Sequence, residues 1–195
     1  MHHSGEDDVD GLRERKRADS RARVVDVAFG LFAERGYDEV TVAEVCTAAG
    51  IAPRTFFRYF PTKDDVLTEP ARVLADRVQA ELAATPARVS DTAALHAALL
   101  VVGAELVADD QRAAGLFRVL RQAPAARAHP LMRLGDRERV VAAALVDRTG
   151  GTVDWRVRLT VARSTAAFRV WLDDLVDGAV EGDPMAHLRE VLDAS

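Results

Sequence analysis

The chain of 195 residues has a single cysteine, Cys46, and only two lysines, Lys16 and Lys63, among its 26 basic residues. One cysteine excludes a disulfide bond within the chain. No apolar run approaches 18 residues, and the N-terminal residues lack the pattern of a secretory signal. We therefore expect a cytoplasmic protein that does not interact with a membrane.

The sequence motifs of the common enzyme classes are absent as well. The chain has no Gly-x-Gly-x-x-Gly, no phosphate-binding loop, no Gly-x-Ser-x-Gly and no His-Glu-x-x-His, and its five histidines lack metal-ligand spacing. Cys46 falls among apolar positions of a short predicted helix, which favours a buried thiol over a nucleophile. We expect neither catalysis nor a bound metal or cofactor.

Charge is distributed unevenly along the chain. The formal charge of the whole is −5, but residues 11–63 contain ten Lys and Arg against seven Asp and Glu. Residues 1–10 carry four acids, and residues 64–195 carry 16 basic against 20 acidic side chains. Because phosphate binding depends on local positive charge, this asymmetry suits a small basic DNA-binding domain joined to a larger acidic domain. A chance fluctuation of three charges is the alternative.

Apolar residues recur at helical spacing through most of the chain, and nothing shows the alternation of a β-strand. Gly and Pro mark the breaks between the helical segments. The pattern predicts an all-α protein of about nine helices. The first helix is predicted to begin at Ser20, a suitable N-cap, and to end before Gly36.

The clearest local pattern lies between Thr41 and Lys63. A short helix is followed by Gly50 and by a second short helix that opens at Pro53, a residue preorganised for a first helical turn. Gly50 can take the positive φ of a tight turn. A small core between the two helices would be formed by Val45, Ala49, Ile51, Phe56 and Phe60. A second helix held in this way can enter the major groove of duplex DNA.

Around this pattern the sequence resembles the TetR family of bacterial regulators, and in particular an actinobacterial subset. The resemblance covers about residues 20–67 and is carried by the stretches FGLFAERGY at 29–37, TVAEV at 41–45, AAGIA at 48–52 and TFFRYFPTK at 55–63. Two positions depart from the family pattern. Ala52 stands where a capping serine is usual, and Phe57 stands where a tyrosine is common.

The resemblance implies a recognition helix from Pro53 to Tyr59. The implied DNA-binding residues are Thr41, Pro53, Arg54, Thr55, Arg58, Tyr59 and Lys63. Chemically, Arg54 can reach a guanine edge or a phosphate, Thr55 a thymine methyl or a phosphate, and Arg58 a phosphate.

The resemblance also implies the organisation of the whole protein. The missing apolar periodicity at the start of the chain and the basic stretch Arg13–Arg17 predict that residues 1–19 are a disordered, basic arm that either contacts DNA or stays solvated. The resemblance implies that residues 20–62 are the helix-turn-helix DNA-binding domain. Residues 63–195 would form a helical ligand-binding and dimerisation domain. Such a protein is expected to bind double-stranded DNA at a palindromic operator as a homodimer, and to act as a repressor that responds to a small-molecule effector.

The segment 155–176 is apolar on two faces. One stripe contains Val157, Val161, Phe168, Leu172 and Leu175, and the other contains Leu159, Ala162, Ala166 and Val170. A helix with two apolar faces is expected to pack inward and against a partner subunit. The predicted dimer interface combines it with the last helix and consists of Val161, Phe168, Leu172, Leu175, Leu188 and Leu192. The alternative is a monomeric core.

By resemblance, the middle helices would enclose an apolar chamber for the effector. Its predicted wall consists of Leu99, Leu116, Phe117, Leu120, Met132, Phe168 and Trp171, with ordinary core packing as the alternative for each. The predicted effector is an acyl-CoA or another apolar ligand. A helical adaptor that binds only protein is the alternative function, and a steep salt dependence of binding would distinguish DNA binding from it.

Overall fold

The structure is a computed structural model that describes the backbone of residues 4–122 and 130–195 and the side chains of residues 16–109, 115–121 and 137–195. Within these residues every regular element is an α-helix, which confirms the all-α prediction. The helices are α1 (Ser4–Arg35), α2 (Val42–Ala49), α3 (Pro53–Tyr59), α4 (Lys63–Ala84), α5 (Asp91–Ala108), α6 (Asp110–Gln122), α7 (Pro130–Asp147), α8 (Trp155–Asp177) and α9 (Pro184–Asp193).

The chain divides into two compact units, Met1–Glu69 and Pro70–Ser195. The division falls inside α4, whereas the sequence predicted a boundary at the start of that helix. Pro70 is an internal residue of α4, so the same helix contributes its first turns to the N-terminal unit and its remainder to the C-terminal unit.

Helix α1 begins well before the predicted N-cap. The sequence predicted a disordered arm over residues 1–19, but the helix starts at Ser4, and Ser20 lies inside it. Leu, Arg, Glu, Lys and Ala, all good helix formers, fill residues 12–18, and no proline interrupts them. The predicted end is confirmed: Gly36 has φ 87° and its N–H donates to the carbonyl of Phe32 at 2.9 Å.

The core of the N-terminal unit forms between α1, α2, α3 and the start of α4. Its fully buried side chains include Val24, Ala28, Val40, Val45, Phe56, Phe60 and Val66. Cys46 is buried beside them, and burial raises the pKa of its thiol. The thiol is therefore protonated at neutral pH, as a buried structural cysteine should be.

Helix α5 lies in the core of the C-terminal unit, where it packs against α8 and α9. Gly103 permits the close approach, because a Cβ atom there would lie 2.4 Å from Cδ2 of Leu188. By length and composition α5 could also cross a membrane, a feature the sequence analysis missed, and it is the one such helix among the described residues. Its buried face, which includes Leu95 and Val102, packs inside the unit, as the core helix of a folded domain does.

Candidate nucleic-acid interface and effector cavity

The turn between α2 and α3 has the predicted geometry. Gly50 adopts φ 67° and ψ 34°, and the N–H of Ile51 donates to the carbonyl of Cys46 at 3.0 Å. Val45 and Phe56 are buried on the two sides of the turn. The positive φ predicted for Gly50 is confirmed, and the turn fixes α3 against α2 with one face free.

Helix α3 presents its outward side chains in pairs. Phe56 faces the core, and the 100° rotation per residue places three pairs on the remaining surface. The pairs are Pro53 with Phe57, Arg54 with Arg58, and Thr55 with Tyr59. Both arginines are exposed and lie opposite Phe56, whereas Thr55 and Tyr59 are half-buried. A cationic ridge thus forms the centre of the exposed surface of α3.

Tyr59 fixes one end of this ridge. The Nη2 atom of Arg58 donates to the Tyr59 hydroxyl at 3.3 Å, and its guanidinium carbon lies 5.1 Å from the centre of the tyrosine ring. Hydrogen bonds from Ser20 and Arg58 lower the pKa of Tyr59. The phenol thereby links α3 to α1 and holds the guanidinium of Arg58 at the surface of the helix, where a phosphate oxygen could bind it.

The N-terminus of α3 has no side-chain cap. Ala52 occupies the N-cap position, and no side chain bonds the first backbone N–H groups of the helix. This confirms the expectation from the sequence that a cap is missing. Pro53 compensates in part, because it has no N–H group to satisfy and its φ suits the first helical position.

Thr41 caps α2 as part of a reciprocal arrangement with Glu44. The backbone N–H and the hydroxyl of Thr41 donate to Oε2 of Glu44 at 2.8 and 2.7 Å, and the N–H of Glu44 donates back to the threonine hydroxyl. These bonds, with Arg35 at 2.8 Å, lower the pKa of Glu44 to about 2. A carboxylate therefore stands at the beginning of α2, and the Thr41 hydroxyl would have to exchange partners to reach a phosphate. Its DNA contact stays a prediction.

Lys63 lies at the start of α4 but its ammonium points towards the loop between α1 and α2. The Nζ atom donates to the carbonyls of Tyr37 and Val40, both at 2.9 Å, and lies 4.1 Å from the centre of the Tyr37 ring. The Tyr37 hydroxyl donates to Asp64, and burial together with that contact raises the pKa of the phenol. Lys63 therefore joins α4 to the loop. No side-chain pattern in the sequence indicates this role, because both acceptors are backbone atoms. One ammonium hydrogen is left for a phosphate.

The C-terminal unit has a partly open cavity of about 380 Å³ between α4, α5, α6, α7 and α8. Most of its wall is apolar and consists of Leu74, Val78, Leu95, Leu99, Val102, Phe117, Val141, Phe168 and Leu172, with four alanines. Polar groups come from Arg137, Glu138, Thr165 and Arg169, and the Thr165 hydroxyl donates to Glu138 at 3.0 Å. The volume and the few polar groups are typical of a small-molecule site.

The predicted wall residues fall into three groups. Leu99, Phe117 and Phe168 line the cavity, and the side chain of Met132 lies outside the described residues. Leu116, Leu120 and Trp171 are not part of the wall. Trp171 is instead fully buried in the core beside α9, where its Nε1 donates to the carbonyl of Pro184 at 2.8 Å. The sequence analysis missed the contribution of α4, although Leu74 and Val78 lie one turn apart on one face of that helix.

The predicted dimer interface is largely buried within a single chain. Val161, Phe168, Leu188 and Leu192 are at most 7% exposed, and Leu172 and Leu175 are half-buried. The stripe assigned outward is therefore the side of α8 that packs into its own core. The exposed side contains the large side chains of Trp155, Leu159 and Val170, which are 57%, 48% and 47% exposed. Leu159 and Val170 belong to the second apolar stripe in the sequence.

Comparisons with known proteins place the chain among regulators. The family described as "Bacterial regulatory proteins, tetR family" matches residues 24–69. The chain is 32% identical over 168 residues to MftR of Mycobacterium tuberculosis, a transcriptional regulator named for mycofactocin biosynthesis, covering 82% of this chain and 83% of that protein. It is 30% identical over 168 residues to the HTH-type transcriptional regulator TcmR of Streptomyces glaucescens, covering 82% and 74%.

A solved structure shares the fold. The transcriptional regulator FadR from Bacillus subtilis, in complex with stearoyl-CoA, superposes with a TM-score of 0.59 over 88% of this chain and 95% of that chain. Sequence identity between the two is 21%. At that identity the likeness concerns the arrangement of helices and not the ligand.

Proposed function

Because this chain belongs to the tetR family of bacterial regulatory proteins, we propose that it is a cytoplasmic repressor that binds a palindromic operator as a homodimer. It is a DNA-binding transcriptional regulator that responds to a ligand. The observation that carries the proposal is the exposed cationic ridge of α3, Arg54 and Arg58, held outward by the turn at Gly50. The relatives named above are transcriptional regulators, and we assign no catalytic activity to the chain.

The contacts of α3 divide into base contacts and phosphate contacts. Arg54 is in the first turn, the part of a recognition helix that reaches the base edges, and an arginine fork matches O6 and N7 of guanine. Arg58 lies one turn further along α3, where its hydrogen bond to the Tyr59 hydroxyl restrains the guanidinium, which can then bind a phosphate of the DNA backbone. We therefore assign sequence preference to Arg54 and affinity without preference to Arg58, with Thr55 and Tyr59 on the adjoining side of the helix.

The cavity of the C-terminal unit is the proposed effector site. Its apolar wall suits an elongated apolar molecule, and two of its polar residues, Arg137 and Arg169, carry guanidinium groups that suit an anionic group. An acyl-CoA meets both requirements, with its acyl chain in the cavity and its phosphates outside. Bacillus subtilis FadR, which shares the fold, binds stearoyl-CoA.

Helix α4 is the proposed connection between the effector and DNA. Leu74 and Val78 of α4 line the cavity, and Lys63 at the start of the same helix holds the loop that precedes α2. A ligand that pushes on Leu74 and Val78 acts on the helix that carries Lys63. Release of DNA then follows if the ligand favours a helix position that DNA binding disfavours.

The first experiment tests DNA binding. Sequences bound by the full-length protein are selected from a random duplex library, and the affinity for the selected sequence is measured across salt concentration. A palindromic motif with a steep loss of affinity as salt rises supports a dimeric DNA-binding protein. Weak, salt-insensitive binding with no enriched motif contradicts it and favours a protein-binding adaptor. Arg54→Ala is expected to reduce the preference for the selected sequence, with Arg23→Ala, an exposed α1 arginine, as the matched control.

The second experiment tests the effector. Lauroyl-CoA, dodecanoate and free coenzyme A are titrated into the complex of the protein with the selected operator. Release by lauroyl-CoA, with little release by coenzyme A alone, supports an acyl-CoA effector. Leu99→Trp fills the cavity and is expected to abolish release, whereas Val101→Trp, on the exposed side of the same helix, should not. Equal release from both variants contradicts the cavity as the site.

A further inference from the structure

An exposed phenylalanine lies on the recognition helix. Phe57 is 52% exposed, and its ring makes an edge contact with that of the buried Phe56 at 5.5 Å between centres. Pro53, one turn earlier on the same side of α3, is exposed as well. Together Pro53 and Phe57 form an apolar ridge directly beside the cationic ridge of Arg54 and Arg58.

The surroundings of the apolar ridge indicate what it contacts. A side chain without polar atoms cannot bond a phosphate, and a protein partner would have to cover Arg54 and Arg58 along with the ring. Duplex DNA instead offers hydrogen-bond acceptors to Arg54 and Arg58 on its phosphates and on guanine. The apolar group that DNA presents in the major groove is the C5-methyl of thymine, and phenylalanine is among the side chains that pack on it.

We propose that Phe57, with Pro53 beside it, packs on the C5-methyl group of a thymine in each half of the operator and selects thymine at that position. The proposal rests on the proposed function, because it requires α3 in the major groove. It assigns to Phe57 a sequence preference that arises from burial of one methyl group. Such a preference is expected to be modest, about fourfold in affinity for each buried methyl.

The test removes only the methyl group. Each thymine of the selected operator is replaced in turn by deoxyuridine, which pairs with adenine in the same way but lacks the C5-methyl. The wild-type protein is expected to lose affinity about fourfold when either thymine of one symmetry-related pair is replaced. Phe57→Ala is expected to show no loss at these two positions. Phe57→Leu, which keeps an apolar side chain, should retain part of the sensitivity. Because Phe57 is exposed, all variants should unfold at nearly the wild-type temperature.

The outcomes separate this proposal from the proposed function. If the protein binds a palindromic operator and no deoxyuridine substitution weakens binding, the contact with a thymine methyl is wrong while DNA binding stands. If a substitution weakens wild type and Phe57→Ala equally, another residue makes the contact and the assignment to Phe57 is overturned. If no duplex is selected at all, the proposed function fails and this inference with it.

Discussion

Arg21 of α1 and Glu69 of α4 form a two-pronged ion pair inside the N-terminal unit. Nε of Arg21 lies 2.7 Å from Oε1 of Glu69 and Nη2 lies 2.6 Å from Oε2, and Glu69 is only 4% exposed. The guanidinium also lies 4.9 Å from the centre of the Phe60 ring at the end of α3. Arg21 thus connects the first helix, the recognition helix and α4, immediately before the residue at which the two units divide.

Substitution of Arg21 by methionine is expected to destabilise this unit. The change leaves a carboxylate at a buried position without its arginine, and loss of one partner of a buried pair is strongly destabilising. Because the Arg21 side chain is 32% exposed, we expect an effect between those of exposed and fully buried pairs, about 2 kcal/mol in the free energy of unfolding. Urea-induced unfolding measures it. Arg23→Met, exposed on the same helix, should change the value by less than about 0.5 kcal/mol.

Two outcomes test the contribution of the two-pronged ion pair. If Arg21→Met and Arg21→Lys destabilise equally, the two-pronged geometry matters, because a lysine keeps the charge but not the fork. If neither variant differs from Arg23→Met, the pair contributes nothing measurable and the connection between α1 and α4 lies in apolar packing alone.

Substitution of Ala52 by serine is expected to stabilise the protein. A serine hydroxyl at the N-cap can accept the N–H of Arg54, since that of Thr55 already donates to the Ala52 carbonyl at 2.8 Å, and capping residues contribute about 1 kcal/mol relative to alanine. The backbone already has the extended conformation that an N-cap requires, with φ −74° and ψ 149°. Thermal unfolding should shift upward by about 2–4 °C for a chain of this size. Ala52→Val, which adds bulk but no acceptor, should give no gain, and an equal gain from both would exclude capping as the cause.

Loss of the Lys63 ammonium is expected to reduce both stability and DNA affinity. Lys63→Met keeps the apolar stem but removes the donor to the Val40 carbonyl and one of the two donors to the Tyr37 carbonyl, which also accepts the N–H of Val40 at 3.4 Å. This loss lowers the free energy of unfolding by about 1–3 kcal/mol. Affinity should fall alike for selected and unrelated duplexes, since no base contact is lost. Arg23→Met, at an exposed position of α1 outside the basic arm, is the control. A loss of DNA affinity with unchanged stability would mean that Lys63 contacts phosphate and that its hydrogen bonds to the loop do not stabilise the fold.

Features that depend on local stereochemistry could be predicted from the sequence. Gly36 and Gly50 end their helices with positive φ because a Cβ atom is disfavoured there, and the missing cap at Ala52 follows from the residue type alone. The DNA-contact set around α3 stays a prediction; the structure shows only that Arg54 and Arg58 are exposed, while Thr55 and Tyr59 are half-buried.

Features that depend on packing could not be predicted in the same way. Helix α8 has two apolar stripes, and only the positions of α5, α6, α7 and α9 around it decide that Val161 and Phe168 face inward while Leu159 faces out. The partners of Lys63 are backbone carbonyls, which no side-chain pattern reveals. The start of α1 was predicted wrongly because Ser20 is a good N-cap. No proline precedes Ser20 to stop the helix from beginning earlier.

The stability of the N-terminal unit should depend on pH through Glu44. Its pKa falls from 4.5 to about 2 on folding, so its contribution to stability is complete above pH 4.5 and is lost as the pH falls towards 2. The difference in thermal unfolding temperature between wild type and Glu44→Gln should therefore be largest at pH 5–7 and shrink below pH 4. Glu34→Gln, exposed on α1, is the control. A difference that stays constant from pH 2 to 7 would show that the capping arrangement does not depend on the charge of Glu44.

The exposed side of α8 should be the dimer interface. Leu159 and Val170 are exposed there, and Arg163 and Asp173 are also exposed on this helix. Leu159→Glu or Val170→Glu is expected to yield monomers in sedimentation equilibrium, because a charge would be buried between subunits. Val73→Glu, an equally exposed valine on α4, should leave the mass unchanged. A dimer that survives both α8 substitutions would place the interface elsewhere.

Charge reversal gives the sharper test of the arrangement. Arg163 and Asp173 lie three turns apart on α8, so two copies of the helix that pair antiparallel about a two-fold axis would bring Arg163 against Asp173 of the partner subunit. Arg163→Glu or Asp173→Arg alone should weaken the dimer, since like charges then face each other twice. The double variant restores opposite charges and should recover much of the association, most clearly at low salt. Additive losses in the double variant would exclude this pairing and favour a different crossing of the helices.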